Sequence, residues 1–150
     1  MTAIFADTFY GVALTNVRDS AQFSRSLSSA SLVTTEPVLI EYLDYSAAWG
    51  PEFRLMASAS ANSMVSSSSV KVLPLTAELF EAGVDLYAAR PDKGYSLTDC
   101  TSMVAMRRQG LSQALTNDQH FDQGGPGALS RFVEGDFLTV PRPCFRNGKF

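Results

Sequence analysis

The run Ser96-Leu97-Thr98-Asp99-Cys100-Thr101-Ser102-Met103-Val104-Ala105-Met106-Arg107-Arg108-Gln109-Gly110 constrains this chain more than any other stretch. Ser96 followed three residues later by an acid is a capping-box pattern. Arg107 and Arg108 stand where a helix C-terminus favours cations, and Gly110 is a natural stop. Leu97, Cys100, Met103, Val104, Ala105 and Met106 leave so little polar surface that the predicted helix is largely buried, packed against a sheet. Asp99 is then a carboxylate at the mouth of a buried helix. A first-turn Asp stabilises the helix dipole by ~0.3–1 kcal/mol with no further role, so its meaning depends on the other acids.

From the N-terminus, Met1 to Thr8 reads as a short buried strand ending in Asp7, with Phe9 to Leu14 starting a helix. In open α/β sheets ligands bind at the carboxyl ends of strands, which lends weight to Asp7, although helix capping explains such an acid equally well. Asp19 to Ala30 predicts a short surface helix, and Ser31 to Thr34 a second strand. Thr35 and Pro37 then open a helix with the apolar stripe Val38, Leu39, Tyr42 and Leu43. Glu41 lies beside that stripe, about 60° from Val38 at 3.6 residues per turn. Its stem can be buried while its carboxylate reaches a shared pocket or faces solvent.

Trp49-Gly50-Pro51 makes a turn into a segment whose serine-rich part, Ser58 to Ser69, is weakly patterned and reads as a loosely held helix ending in a flexible loop. Val70 to Leu75 is a third strand stopped by Pro74. Thr76 caps a helix with Leu79, Phe80, Val84, Leu86 and Tyr87 on its apolar side. Arg90 to Tyr95 is a turn-rich linker. After Gly110, Leu111 to Thr116 forms a fourth strand, again ending in an acid, Asp118. Strands alternating with helices indicate a parallel α/β sheet. The segment from Gly124 is loop-like, and Pro141 to Phe150 reads as a tail without its own core.

A chain of 150 residues fits one domain, and such a domain buries roughly 70% of its unfolded surface. The net charge of −3, from 12 basic and 15 acidic side chains, lacks the basic footprint of general nucleic-acid binding, so a polyanion needs local help from metal ions. No apolar run approaches a membrane span and no leader pattern opens the chain, which makes the cytoplasm the expected compartment. Cys100 and Cys144 have neither metal-ligand spacing nor disulfide density and read as free thiols. A single histidine, His120, excludes a multi-histidine zinc site.

Asp7, Glu41, Asp99 and Asp118 thus share a pattern, and in a parallel sheet three of them converge on one edge. Carboxylates gathered in one pocket repel each other and stay ionised when a cation compensates them. Hard oxygen ligands select Mg²⁺ or Mn²⁺, and two such ions about 3.5–4 Å apart clamp the attacking and leaving oxygens of a phosphodiester. A phosphatase with Asp7 as nucleophile needs a second Asp shortly after it, and Thr8-Phe9-Tyr10 offers none.

The runs Ala3 to Thr8, Val33 to Glu41, Tyr95 to Ser102 and Ala114 to Phe121, in this order and spacing, resemble the PIN-domain nucleases, especially their VapC-like toxin branch. The resemblance implies a single Rossmann-like PIN domain over residues 1–132, with a central, mostly parallel sheet of four to five short strands flanked by helices, and a tail over 133–150. It implies an Mg²⁺- or Mn²⁺-dependent endoribonuclease cutting single-stranded or tRNA-like RNA, a homodimer, and a small antitoxin as partner. Asp7, Glu41, Asp99 and Asp118 fall on the family's metal-binding positions; Thr8 and Thr98 are neighbouring polar residues. Asp122 is an extra acid near the pocket, and His120 an RNA-binding or proton-shuttling group or a structural cap partner. The glycine-phenylalanine pair that usually closes the family's domain is replaced by Gly125-Pro126-Gly127. A catalytically silent RNA- or protein-binding module on the same fold is the alternative; loss of an acid would mark it, and all four are present. Cys100 reads as a small core residue, and Arg90, Lys93, Arg107 and Arg108 as phosphate contacts or solvated helix ends. Trp49 and Tyr45 read as core or dimer contacts ahead of a base-stacking platform.

Overall fold

Period-two apolar side chains at the N-terminus build the middle of the sheet. The computed structural model describes residues 3–15, 31–116 and 130–131. Within them, β1 (Ala3–Ala6) pairs in parallel with β2 (Ser31–Thr35) on one side and with β4 (Gln113–Leu115) on the other. β3 (Val70–Leu73) extends the sheet beyond β2, and β5 (Ser130–Arg131) extends it beyond β4, all in parallel, in the order β3-β2-β1-β4-β5. The chain therefore winds outward from β1 in one direction and later resumes on its other side. That reversal puts a topological switch point between β1 and β4, where the carboxyl ends of the strands open a crevice.

The two faces of the sheet carry separate cores. Phe5 and Ala114 point toward Met103, Met106 and Cys100 of α5 (Leu97–Arg108), together with Val38 and Tyr95. Ile4, Ala6, Leu32 and Leu115 point the other way, toward Tyr10 of α1 (Thr8–Thr15), Leu39 of α2 (Glu36–Ala47) and Met64 of α3 (Pro51–Ser66). Burying each Ile, Leu, Val, Phe or Met among them contributes roughly 1.5–3 kcal/mol. Every residue of α5 from Asp99 to Met106 is buried, because the sheet covers one flank and α4 (Ala77–Ala89) another.

Three local readings are sharpened. The serine-rich segment is a regular helix as far as Ser66, seated on Ala57, Ala61 and Met64. The apolar stripe expected on α4 is mostly exposed: Phe80 is 47%, Val84 38% and Tyr87 54% accessible. The buried face runs instead through Leu79, Gly83 and Leu86, because the absent side chain at Gly83 lets the backbone close on Thr101 of α5. β4 is shorter than expected, starting at Gln113 after Gly110 turns the chain with φ +65°. The helix expected over 19–30, the loop-like segment from Gly124 to 129 and the tail from Val133 lie outside the described residues.

Candidate active site

Asp7 follows β1 immediately, and Thr116 follows β4 immediately, so the two face each other across the switch point. The Asp7 amide donates to the Leu115 carbonyl at 3.2 Å, and the Thr116 hydroxyl donates to Asp7 Oδ2 at 2.9 Å. On the other side of β1, the Thr34 hydroxyl donates to the Ala6 carbonyl at 2.7 Å and pins the end of the strand to β2. Asp7 is 7% exposed, at a small, mostly apolar recess lined in part by Tyr10, Val38, Tyr42 and Met64.

Burial pushes the Asp7 carboxyl up to about 7. Hydrogen bonds from the Thr8 backbone and the Thr116 side chain oppose the rise, and the negative charges of Asp99 and Glu41 add to it. Asp99 and Glu41 are thus electrostatic neighbours of Asp7, although 92 and 34 residues away in sequence.

Each neighbour is held by its own element. Asp99 is 8% exposed and closes a complete capping box: its Oδ2 accepts from the Ser96 amide at 2.8 Å, and its amide donates to Ser96 Oγ at 3.0 Å. Glu41 is half-buried on α2, whose N-cap is Thr35 and whose first turn contains Pro37. The Thr8 hydroxyl donates to Glu41 Oε2, which ties the start of α1 to α2 beside Asp7. Thr98 is half-buried in the first turn of α5, where its carbonyl accepts from the Thr101 hydroxyl at 3.0 Å. Asp118, His120 and Asp122 lie outside the described residues.

Among the described residues, no group of three or more His, Cys, Asp or Glu side chains is arranged so that it could hold a metal ion as it stands. Asp99 and Glu41 direct oxygens at Ser96 and Thr8. The donor chemistry itself is that of a hard cation: three carboxylates and two hydroxyls, with like charges raising a buried acid. Cys100 is fully buried, and burial with the nearby Asp99 charge pushes its thiol up, which suits a core residue and not a nucleophile.

Sequence reasoning passed over Thr116 and Thr34 as site residues. The signal for Thr116 was its place at the end of a strand that also leads into an acid, but only the pairing of β4 with β1 turns that place into a contact with Asp7.

No model of a known protein family matches the sequence, and no curated protein matches it either. Solved structures do match. VapC20 of Mycobacterium tuberculosis, a Sarcin-Ricin loop cleaving toxin, superposes with a TM-score of 0.71 at 27% identity, covering 85% of this chain and 98% of that one. VapBC2 from Rickettsia felis, bound to a DNA fragment from their promoter, superposes with a TM-score of 0.63 at 14% identity, covering 87% of this chain and 98% of that one. With its parallel sheet, its flanking helices and these neighbours, the chain has the PIN-domain fold of the VapC toxins.

Proposed function

We propose that this chain is a divalent-metal-dependent ribonuclease that hydrolyses phosphodiester bonds of single-stranded or tRNA-like RNA, as the toxin of a toxin-antitoxin pair. One observation carries the reading: a buried carboxyl at the switch point, Asp7, stands close enough to Asp99 and Glu41 for both charges to raise its pKa. A protein keeps such repulsion where a cation compensates it. The similarity to VapC20, a Sarcin-Ricin loop cleaving toxin, supports the same conclusion. Residues 1–132 form the nuclease domain, 133–150 a separate tail, and the protein works in the cytoplasm as a homodimer restrained by a small antitoxin.

In this reading Asp7, Glu41, Asp99 and Asp118 hold Mg²⁺ or Mn²⁺. The chemistry such an ion supplies when bound is charge stabilisation on the phosphoryl oxygens and acidification of the attacking water. Thr116 and the Thr8 amide orient the Asp7 carboxylate. Ser96 fixes Asp99, and the Thr8 hydroxyl fixes Glu41. Thr98, Asp122 and His120 are auxiliary groups.

A catalytically silent binding module on the same fold is favoured by one observation, that the described carboxylates do not form a metal cluster as they stand. Incubating the protein with structured and single-stranded RNAs, in Mg²⁺, Mn²⁺ or EDTA, beside Asp7→Asn and Asp99→Asn variants, separates the two. The nuclease reading requires cleavage that needs metal and vanishes in both variants. Metal-independent, inert binding by all three proteins would replace it with the silent module.

A further inference from the structure

Glu41, Tyr45, Trp49 and Phe53 succeed one another at intervals of four residues, from the acidic site along α2 and into α3. Glu41 and Tyr45, four apart on α2, are neighbours on one face, with Cβ atoms about 5–6 Å apart, whereas Trp49 lies in the turn after α2 and Phe53 in the first turn of α3. The ring centroids of Tyr45 and Trp49 are 6.0 Å apart and those of Trp49 and Phe53 6.3 Å, with the planes tilted by 49° and 47°. Rings tilted this way leave faces uncovered, and Trp49 is 46% and Phe53 43% exposed. Trp49, expected from sequence to be a core or dimer contact, is not part of the core of the single chain and presents an open aromatic surface.

We infer that the ladder Tyr45, Trp49 and Phe53 is a stacking platform for the bases of the single-stranded RNA whose phosphodiester lies at Asp7, Glu41 and Asp99. The inference rests on the ribonuclease reading and gives that site its substrate track. Two observations favour RNA over a protein segment as the occupant. The file of rings is continuous with the acidic site, starting one helical turn from Glu41, so a strand bound at the carboxylates passes along it. Its exposed surface is aromatic apart from Met56, about 60° round α3 from Phe53, whereas the exposed aliphatic residues Ile40, Leu55 and Val65 lie at least about 100° round their helices from the ladder. Base–aromatic stacking tolerates any sequence because every base presents a π-face. Stacking also supplies affinity without the basic surface that this acidic chain lacks.

Trp49 is the single tryptophan of the chain, so its emission reports on the ladder alone. The full chain is titrated with a labelled single-stranded oligoribonucleotide of roughly eight nucleotides, in Mg²⁺ and in EDTA, following label anisotropy and Trp49 emission together. Stacking predicts saturable quenching that tracks the anisotropy. It also predicts a roughly tenfold rise in KM for Trp49→Ala with kcat unchanged, and recovery of KM in Trp49→Phe, which keeps a ring. Binding by anisotropy with unchanged emission, or equal KM values in all three proteins, overturns the platform and leaves the ribonuclease standing. Emission that responds to protein concentration or to an added protein partner, and not to RNA, assigns the ladder to a protein interface. Absence of both binding and metal-dependent cleavage overturns the ribonuclease reading and the platform with it.

Discussion

The Thr116 hydroxyl donates a 2.9 Å hydrogen bond to Asp7 Oδ2 across 109 residues of sequence, joining the ends of two parallel strands at the switch point of the sheet. Both groups are buried, so the bond lies out of reach of competing water. A hydrogen bond to a charged group contributes about 1.5–3 kcal/mol, and this one lowers a carboxyl that burial has raised. Thr116→Val therefore cuts kcat/KM for RNA by roughly tenfold or more and moves the acid limb of the pH–rate profile to higher pH. Thr116→Ser retains the hydroxyl and restores both. A Val variant with a wild-type pH profile would show that Thr116 has no hold on Asp7.

A carboxyl raised to about 7 also makes the metal-free fold sensitive to pH. In the unfolded chain Asp7 titrates near its ordinary value of 3.8. The folded state thus favours the protonated form: its contribution to stability is full below 3.8, falls as pH rises toward 7, and is gone above it. The difference corresponds to about 4 kcal/mol. In EDTA at pH 8, Asp7→Asn should be more stable than wild type by a few kcal/mol, while at pH 4 the two should unfold alike. Mg²⁺ or Mn²⁺ should raise the wild-type midpoint at pH 8 and leave the variant unmoved. Thermal unfolding at the two pH values checks all three statements.

The parts of this chain legible in sequence were those written in local chemistry. Ser96 and Asp99 announce their capping box, Thr35 and Pro37 their helix start, and Asp7 the carboxyl end of β1. Less was legible where a contact depends on distant pairing. Thr116 acquires its partner only because β4 lies beside β1, and no spacing encodes that adjacency. On α4 the apolar residues outnumber the buried positions, and Gly83, with no side chain to signal burial, decides which face turns inward.

That glycine is a direct test of how α4 meets α5. A Cβ at position 83 would stand 2.5 Å from Thr101 Cγ2 and 3.4 Å from the Thr101 backbone. Ala has the better helix propensity, by ~0.8–1 kcal/mol, but overpacking costs typically about 1–3 kcal/mol and outweighs it. Gly83→Ala should lower stability in urea unfolding. Thr101→Ser removes the clashing methyl and keeps the hydroxyl that donates to Thr98. In the double variant most of the loss should return, a coupling that a thermodynamic cycle isolates. Additive losses would place the strain elsewhere.

Asp99 has two jobs in this account, as the third residue of a capping box and as a charge facing Asp7, and the two are separable. Ser96→Ala removes the side-chain oxygen that accepts from the Asp99 amide, at a cost of about 1 kcal/mol. It leaves the Ser96 amide, which still donates to Asp99 Oδ2, so the carboxylate keeps its place. Stability should fall in this variant while kcat/KM stays within about threefold, a difference under 1 kcal/mol. Asp99→Asn does the reverse. Its amide oxygen still accepts from the Ser96 backbone, and loss of the negative charge relieves Asp7, so the fold holds and the acid limb of any residual pH profile moves down. Cleavage should nevertheless drop to background, because a neutral amide cannot compensate a bound cation. An Asp99→Asn protein that unfolds more readily yet cuts RNA at the wild-type rate would reduce Asp99 to a helix cap.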